Sequence, residues 1–161
     1  MEEIKKNKRD LVNGLDRPVV VILGLIKFEN KILLINRNKE PYIGKWGLVG
    51  GKLELDETLQ EGMLREVKEE TGLICDFVKF NCVEHKRMYG EKDRAFVAFY
   101  CTLNAKNKDF VSSDEGELEW FEKLPYDIIK ADKCLIDNFS DKEIKVPEIV
   151  VEDEKEFRWL N

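Results

Sequence analysis

The apolar residues of this chain fall into short runs separated by polar turns, a pattern that predicts strands. Val19 to Phe28 is a continuous β-branched run, which is typical of a strand buried on both faces. A turn at residues 29–31 leads into a second strand, Ile32 to Asn36, and Arg94 to Leu103 alternates as a third strong strand. Weaker strand patterns cover residues 46–49, 74–88 and 117–122.

Two stretches have helical periodicity instead. Thr58 followed three residues later by Glu61 is a capping-box signature, and Gly72 is a natural stop, so a helix is predicted between Thr58 and Gly72. A second helix is predicted from about Tyr126 to Asn138. Its apolar positions predict one packing face: Ile128, Ile129, Cys134, Leu135, Ile136 and Phe139. The order of strands and helices predicts an α/β fold with a mixed sheet between helices.

Length and composition predict one soluble domain over residues 1–161. The chain is 43% hydrophobic and long enough to bury a core. Met1 to Arg17 is a charged arm with little pattern, and we expect it to be frayed or a short helix. Three roles stay open for the tail from Lys142 to Asn161: an added strand, a cover for the core, or self-association as a homodimer.

Charge and cysteine usage narrow the classes of partner. A net charge of −6 argues against broad nucleic-acid binding and against anionic membranes. The longest apolar run is too short to span a bilayer, and no signal peptide is visible, so we expect a cytoplasmic protein. Four scattered cysteines and one histidine, His85, make a zinc site of usual spacing improbable and predict reduced thiols.

Three glutamates on the first helix carry the candidate chemistry. Glu66, Glu69 and Glu70 are spaced i, i+3 and i+4, so they share one face although like charges repel there. They also oppose the helix dipole, and a hard divalent cation would resolve both conflicts. Arg65 is predicted to pair with Glu57 across the preceding loop. In a chain that is 37% charged, three glutamates alone would favour a solvated helix face.

The full pattern resembles the complete Nudix box. It reads Gly51, five residues, Glu57, seven residues, Arg65-Glu66-Val67, one residue, Glu69-Glu70, one residue, Gly72-Leu73. The resemblance extends from about Val19 to Phe139 and implies the α/β/α sandwich of that family.

The resemblance also implies site roles. Glu66, Glu69 and Glu70 would ligate Mg²⁺ or Mn²⁺ with help from the Gly50 carbonyl, and which glutamate is the general base stays open. Glu57 and Arg65 would orient the box. Glu115 is the candidate for a further acidic ligand, with Asp114 and Glu117 as rivals, and Arg37 for a contact with substrate phosphate.

The implied activity is hydrolysis of a phosphoanhydride bond in a substrate that contains a nucleoside diphosphate. The first expectation is a nucleoside triphosphate, including oxidised ones, as in the mutator-type enzymes. Tyr89 lies 16 residues after Leu73, a spacing seen in dinucleoside-polyphosphate hydrolases. The absence of proline there disfavours the ADP-ribose branch, and RNA 5′-pyrophosphohydrolases stay open.

Two classes without hydrolysis are also considered. Nudix domains that only sense nucleotides often lose the box glutamates, whereas this box is intact. Nudix-like isoprenoid diphosphate isomerases carry a histidine-rich metal site, and this chain has one histidine. Both observations favour a hydrolase.

Overall fold

The computed structural model describes residues 18–88, 94–146, 148–152 and 156–160. The predicted N-terminal arm, Met1 to Arg17, and the turn that contains Tyr89 lie outside these residues. The strands are β1 (Val19–Phe28), β2 (Lys31–Arg37), β3 (Trp46–Gly47), β4 (Val49–Lys52), β5 (Cys75–Met88), β6 (Arg94–Ala105), β7 (Gly116–Phe121), β8 (Glu148–Glu152) and β9 (Glu156–Leu160). The helices are α1 (Leu59–Thr71) and α2 (Lys130–Phe139).

The first seven strands form one mixed sheet around β1. Strand β1 pairs parallel with β6 and antiparallel with both β2 and β4. Strand β2 also carries β3 and β7, and β5 pairs antiparallel with β6. The predicted mixed sheet is therefore confirmed, with a central strand that has neighbours on both sides.

The sheet has a hydrophobic core on each face, which explains the unbroken apolar run of β1. Ile22 and Ile26 lie on one face, where they pack with Met63 of α1. Leu25 lies on the other face, where it packs with Leu135 of α2. Because successive strand residues point to opposite faces, β1 must be apolar throughout. The α/β/α sandwich is confirmed.

Helix α1 begins and ends where the local sequence predicts. The Thr58 side chain accepts from the Glu61 N–H at 3.1 Å, and Glu61 accepts from the Thr58 N–H at 2.9 Å. Gly72 closes the helix in the left-handed conformation with φ 69°, which glycine adopts without a steric penalty.

The predicted start of the second helix at Tyr126 is wrong by four residues. The backbone at Ile128 and Ile129 is used by the sheet edge instead: Ile128 bridges Trp46, and the Ile129 N–H donates to the Trp46 carbonyl at 2.7 Å. Cys134 was wrongly predicted to be on the packing face, since it is exposed. The buried residues of α2 are Asp132, Leu135 and Ile136, and Cys134 is rotated about 100° from Leu135.

The described part of the tail continues from α2 as a strap and then a hairpin. The Ile144 N–H donates to the Phe80 carbonyl at 2.9 Å, so the strap lies along the outer edge of β5. Strands β8 and β9 pair antiparallel with each other in a separate two-stranded sheet. Of the described helices, neither has both the length and the apolar character needed to cross a membrane.

Candidate active site

Arg65 connects the loop before α1 to the carboxylates of the helix. Its Nε and Nη2 donate to the two oxygens of Glu57 at 2.8 and 2.7 Å, a bidentate pair, and Nη2 also donates to the Lys52 carbonyl. Its Nη1 donates to Glu66 at 3.0 Å and to Glu69 at 3.1 Å. Hydrogen bonds from Arg65 lower the pKa of Glu57, so Glu57 is held ionised. The predicted pairing of Arg65 with Glu57 is confirmed.

Two glycines of β4 allow close contacts that a side chain would block. A Cβ on Gly51 would lie 2.2 Å from a carboxylate oxygen of Glu66, so this carboxylate rests directly against the Gly51 backbone. A Cβ on Gly50 would lie 2.0 Å from the Ile22 carbonyl oxygen, so only glycine fits there. Gly51 therefore lets the Glu66 carboxylate of α1 pack on β4, and Gly50 lets β4 lie close against β1.

Glu70 is half-buried beside the Gly50 backbone. Burial raises its pKa to about 7, and the nearby charges of Glu66 and Glu115 act in the same direction. A backbone hydrogen bond from Gly50 opposes this shift, as does the charge of Arg37. Burial also raises the pKa of Glu66, against the effect of Arg65. Glu70 therefore lies where a negative charge needs a cation or a proton.

Glu115 reaches this region from the segment before β7, 45 residues beyond Glu70 in the sequence. It pairs with Lys39, which also lies 3.8 Å from Asp114. The loop after β2 and the segment before β7 are joined further by Asn38, whose N–H donates to the Glu115 carbonyl at 3.2 Å. Lys39 and Arg37 thus add positive charge beside the carboxylates.

The donor chemistry fits a hard divalent cation, because the converging side chains offer carboxylate oxygens. The charges of Glu66 and Glu115 both raise the Glu70 pKa, so these three carboxylates lie in one acidic region. Glu69 is turned away: its side chain is 62% exposed and its carboxylate accepts from Arg65. Within the described residues, no three acidic, histidine or cysteine side chains stand close enough together to hold a metal ion, so these carboxylates would have to move to bind one.

The remaining predicted residues differ in how well they are placed. Arg37 is at the end of β2, and its Nε donates to the Pro41 carbonyl at 3.0 Å. Its charge acts on Glu70, which places it beside the box. Glu117 is exposed on β7 and is not among the groups that shift the Glu70 pKa. Tyr89 lies outside the described residues.

Sequence reasoning missed Lys39 and Asp132. Asp132 of α2 is 7% exposed, and its Oδ2 accepts from the Leu48 N–H at 2.8 Å. The signal was present, because Asp132 is a charged residue on a helix face that is otherwise apolar. Lys39 gave no comparable signal, since its partners lie more than seventy residues away.

The layered fold and the carboxylate-bearing helix define a class of hydrolases, and comparison with known proteins names the family. The NUDIX domain model matches residues 15–138. The chain belongs to the Nudix family, whose members are pyrophosphohydrolases that generally use divalent metal ions.

Individual relatives differ in how much of each chain is matched. An ADP-ribose pyrophosphatase from Methanocaldococcus jannaschii is 51% identical over 57 residues, 35% of this chain and 34% of the relative. The match thus spans about a third of that protein. An oxidized purine nucleoside triphosphate hydrolase from Danio rerio is 29% identical over 119 residues, 72% of this chain and 75% of the relative.

A solved structure supports the same assignment of the fold. A MutT NUDIX hydrolase from Burkholderia pseudomallei superposes with a TM-score of 0.68 and 26% identity. The match covers 76% of this chain and 98% of the other.

Proposed function

We propose that this protein is a metal-dependent hydrolase that cleaves a phosphoanhydride bond in a substrate containing a nucleoside diphosphate. The observation that carries the proposal is that Glu66 lies against Gly51 and Glu70 accepts from the Gly50 N–H, with the charges of Glu115 and Arg37 acting on Glu70 and Lys39 paired to Glu115. Carboxylates that bind a cation and basic groups that meet phosphate are the two requirements of this chemistry.

The residues of the chain have separable roles in the proposed reaction. Glu66 and Glu70 would hold Mg²⁺ or Mn²⁺, and the Gly50 carbonyl and Glu115 would be further ligands. Glu69 would have to leave Arg65 to join them. The bound ion would neutralise phosphate charge and acidify water. Arg37 and Lys39 would orient the phosphate chain, and Arg65 with Glu57 would hold the box in place.

For the substrate, we propose a nucleoside triphosphate, including oxidised ones. Two relatives whose matches cover most of both chains support this choice by their names, the oxidized purine nucleoside triphosphate hydrolase from Danio rerio and the MutT NUDIX hydrolase from Burkholderia pseudomallei. ADP-ribose is the second candidate because the Methanocaldococcus jannaschii relative has the highest local identity of the three. Dinucleoside polyphosphates and RNA 5′ ends complete the range, and a nucleotide-sensing role is the alternative without turnover.

A substrate panel with Glu70→Gln as the test variant distinguishes these outcomes. Phosphate and pyrophosphate release would be measured with Mg²⁺ and with Mn²⁺. The substrates are (d)NTPs, oxidised dGTP, ADP-ribose, dinucleoside polyphosphates and capped RNA. We expect metal-dependent release from nucleoside triphosphates that Glu70→Gln abolishes, while Glu119→Gln, an exposed glutamate of β7, retains it.

Each alternative predicts a different result on the same panel. Release from ADP-ribose alone would replace the triphosphate assignment with the second candidate. Nucleotide binding without turnover would replace the enzyme by a sensing domain. Full activity of Glu70→Gln would remove Glu70 from the proposed metal site.

A further inference from the structure

Tyr42 lies in the loop that joins β2 to β3, and its backbone is in the left-handed region with φ 75°. This conformation is unfavourable for a residue with a large side chain, and such outliers persist where the surroundings fix them. Here the Tyr42 carbonyl accepts from the Lys45 N–H at 3.1 Å, and the Gly44 N–H donates to the Arg37 carbonyl at 2.7 Å. Arg37 also binds the Pro41 carbonyl, so both ends of the loop are attached to Arg37.

The ring of Tyr42 is held from one side by a cation. The Lys86 ammonium of β5 lies 4.8 Å from the ring centroid, within the range of a cation–π contact. Both side chains are half-buried, so neither is a freely moving surface group. The strained loop and the cation together present one aromatic plane in a defined orientation.

Tyr42 follows Pro41, whose carbonyl accepts from the Arg37 Nε at 3.0 Å, so Tyr42 lies beside Arg37 at the end of β2. The charge of Arg37 acts on both Glu70 and Asp132, and the charge of Lys86 acts on Asp132. The backbone between these groups is one short stretch: the Leu48 N–H binds Asp132, and Gly50 binds Glu70. Residues two apart in an extended chain are about 7 Å apart, so Glu70 and Asp132 are held by neighbouring points of one backbone segment.

A buried hydroxyl near Asp132, that of Tyr100, has no hydrogen-bond partner among the described residues. The charge of Asp132 is among the influences that raise the Tyr100 pKa, so the two groups lie near each other. A buried polar atom without a partner is uncommon and indicates a place that a ligand or water fills.

We propose that Tyr42 is the residue on which the nucleobase of the substrate stacks, with Lys86 holding the ring in place. The inference rests on the proposed nucleotide substrate and adds the site of its aromatic end. A nucleotide with its phosphates at Arg37 and Glu70 extends toward Asp132, where Tyr42 forms a wall. Stacking on an aromatic ring tolerates any base, so Tyr42 provides affinity for nucleosides in general.

The test compares ligands with and without a base. Dissociation constants would be measured by titration calorimetry for a non-hydrolysable methylene-bridged nucleoside triphosphate and for inorganic tripolyphosphate. We expect Tyr42→Ala to weaken nucleotide binding about five-fold or more, and tripolyphosphate binding to stay within a factor of about two. Tyr42→Phe keeps the ring and should bind like wild type. Tyr126→Ala is the matched control, because Tyr126 is fully exposed.

Lys86→Met provides a second variant should Tyr42→Ala fold poorly. It removes the cation but keeps the length of the side chain, and we expect a smaller loss that is again confined to the nucleotide. An equal loss for both ligands, or no loss for the nucleotide, would overturn the inference. Wild-type protein that binds the nucleotide no better than tripolyphosphate would overturn it as well.

The same measurement separates this inference from the proposed activity. Binding needs no turnover, so a protein that binds nucleotide through Tyr42 but hydrolyses nothing would retain the stacking site and lose the hydrolase assignment. If the wild type hydrolyses nucleotides and Tyr42→Ala changes neither the dissociation constant nor KM, the hydrolase assignment stands and the stacking site is refuted.

Discussion

Replacing Arg65 with lysine tests whether the box is held by a planar fork or merely by a positive charge. Lysine keeps the charge, but its ammonium cannot donate to both oxygens of Glu57 in parallel. It also lacks the reach to keep Lys52, Glu66 and Glu69 as partners at once. The arginine donates five hydrogen bonds in this structure: two to Glu57 and one to each of the others.

The expected loss in free energy of unfolding follows from how deeply the partners of Arg65 are buried. Hydrogen bonds to charged groups contribute about 1.5–3 kcal/mol each, and an exposed ion pair contributes about 0–1 kcal/mol. The Glu69 end is 62% exposed and counts little, whereas Glu57 is only 12% exposed. If lysine restores one of the two bonds to Glu57, Arg65→Lys should lower the free energy of unfolding by about 2 kcal/mol.

The assay is urea unfolding monitored by circular dichroism, together with steady-state kinetics. We expect the denaturation midpoint to fall at an unchanged m-value, and kcat to fall about ten-fold or more because Glu66 loses its orienting donor. Lys68→Met, an exposed site on the same helix, should change the free energy of unfolding by less than about 0.5 kcal/mol.

A double-mutant cycle with Glu57→Gln measures the pair itself. If the fork is responsible, Arg65→Lys should cost clearly less in the Glu57→Gln background than in wild type. Strictly additive effects, or an Arg65→Lys variant as stable as wild type, would refute the argument.

Three further predictions concern buried polar groups and the histidine. Asn81→Ala should lower the free energy of unfolding by about 2–3 kcal/mol in urea melts, because the buried amide binds the carbonyls of residues 139, 140 and 142 and accepts from Thr102; an unchanged midpoint would contradict this. Burial raises the Asp132 pKa to about 6 from 3.8, so the folded state holds the proton more tightly and the carboxyl disfavours folding increasingly as pH rises from about 4 to 6. The stability advantage of Asp132→Asn over wild type, measured as the difference in free energy of unfolding, should therefore grow by up to about 3 kcal/mol from about pH 4 to pH 7. Urea melts at both pH values would measure it, and a difference that does not change with pH would refute the titration of Asp132. His85→Ala should leave kcat and KM nearly unchanged, since His85 is exposed on β5; a collapse of kcat in a folded variant would show that it takes part in the reaction.

The parts of the structure that sequence reasoning predicted are those set by near neighbours in the chain. Helix α1 follows from Thr58, Glu61 and Gly72, which act within one helix length. The Glu57–Arg65 pair spans only eight residues, from the loop just before α1 to the helix itself. The strands follow from alternation because each strand must match the two sides of its sheet.

The parts that sequence reasoning missed depend on contacts between distant segments. Lys39 meets Glu115 across 76 residues because β2 pairs with β7, and Asp132 meets Leu48 across 84 residues. Periodicity describes which face a residue occupies but not which strand lies beside it. The same limit explains the wrong start of α2, where Ile128 and Ile129 bind Trp46 rather than continuing a helix.

The segment from Trp46 to Gly51 explains why this site needs both helices. On the α2 side, the Leu48 N–H binds Asp132, and a Cβ on Gly47 would lie 2.9 Å from the same carboxylate. On the α1 side, Gly50 binds Glu70, and Gly51 leaves room for Glu66. One six-residue stretch therefore positions acidic groups from two layers of the sandwich. A change that shifts α2 against the sheet should move the box carboxylates through this backbone, even though α2 contributes none of the predicted metal ligands.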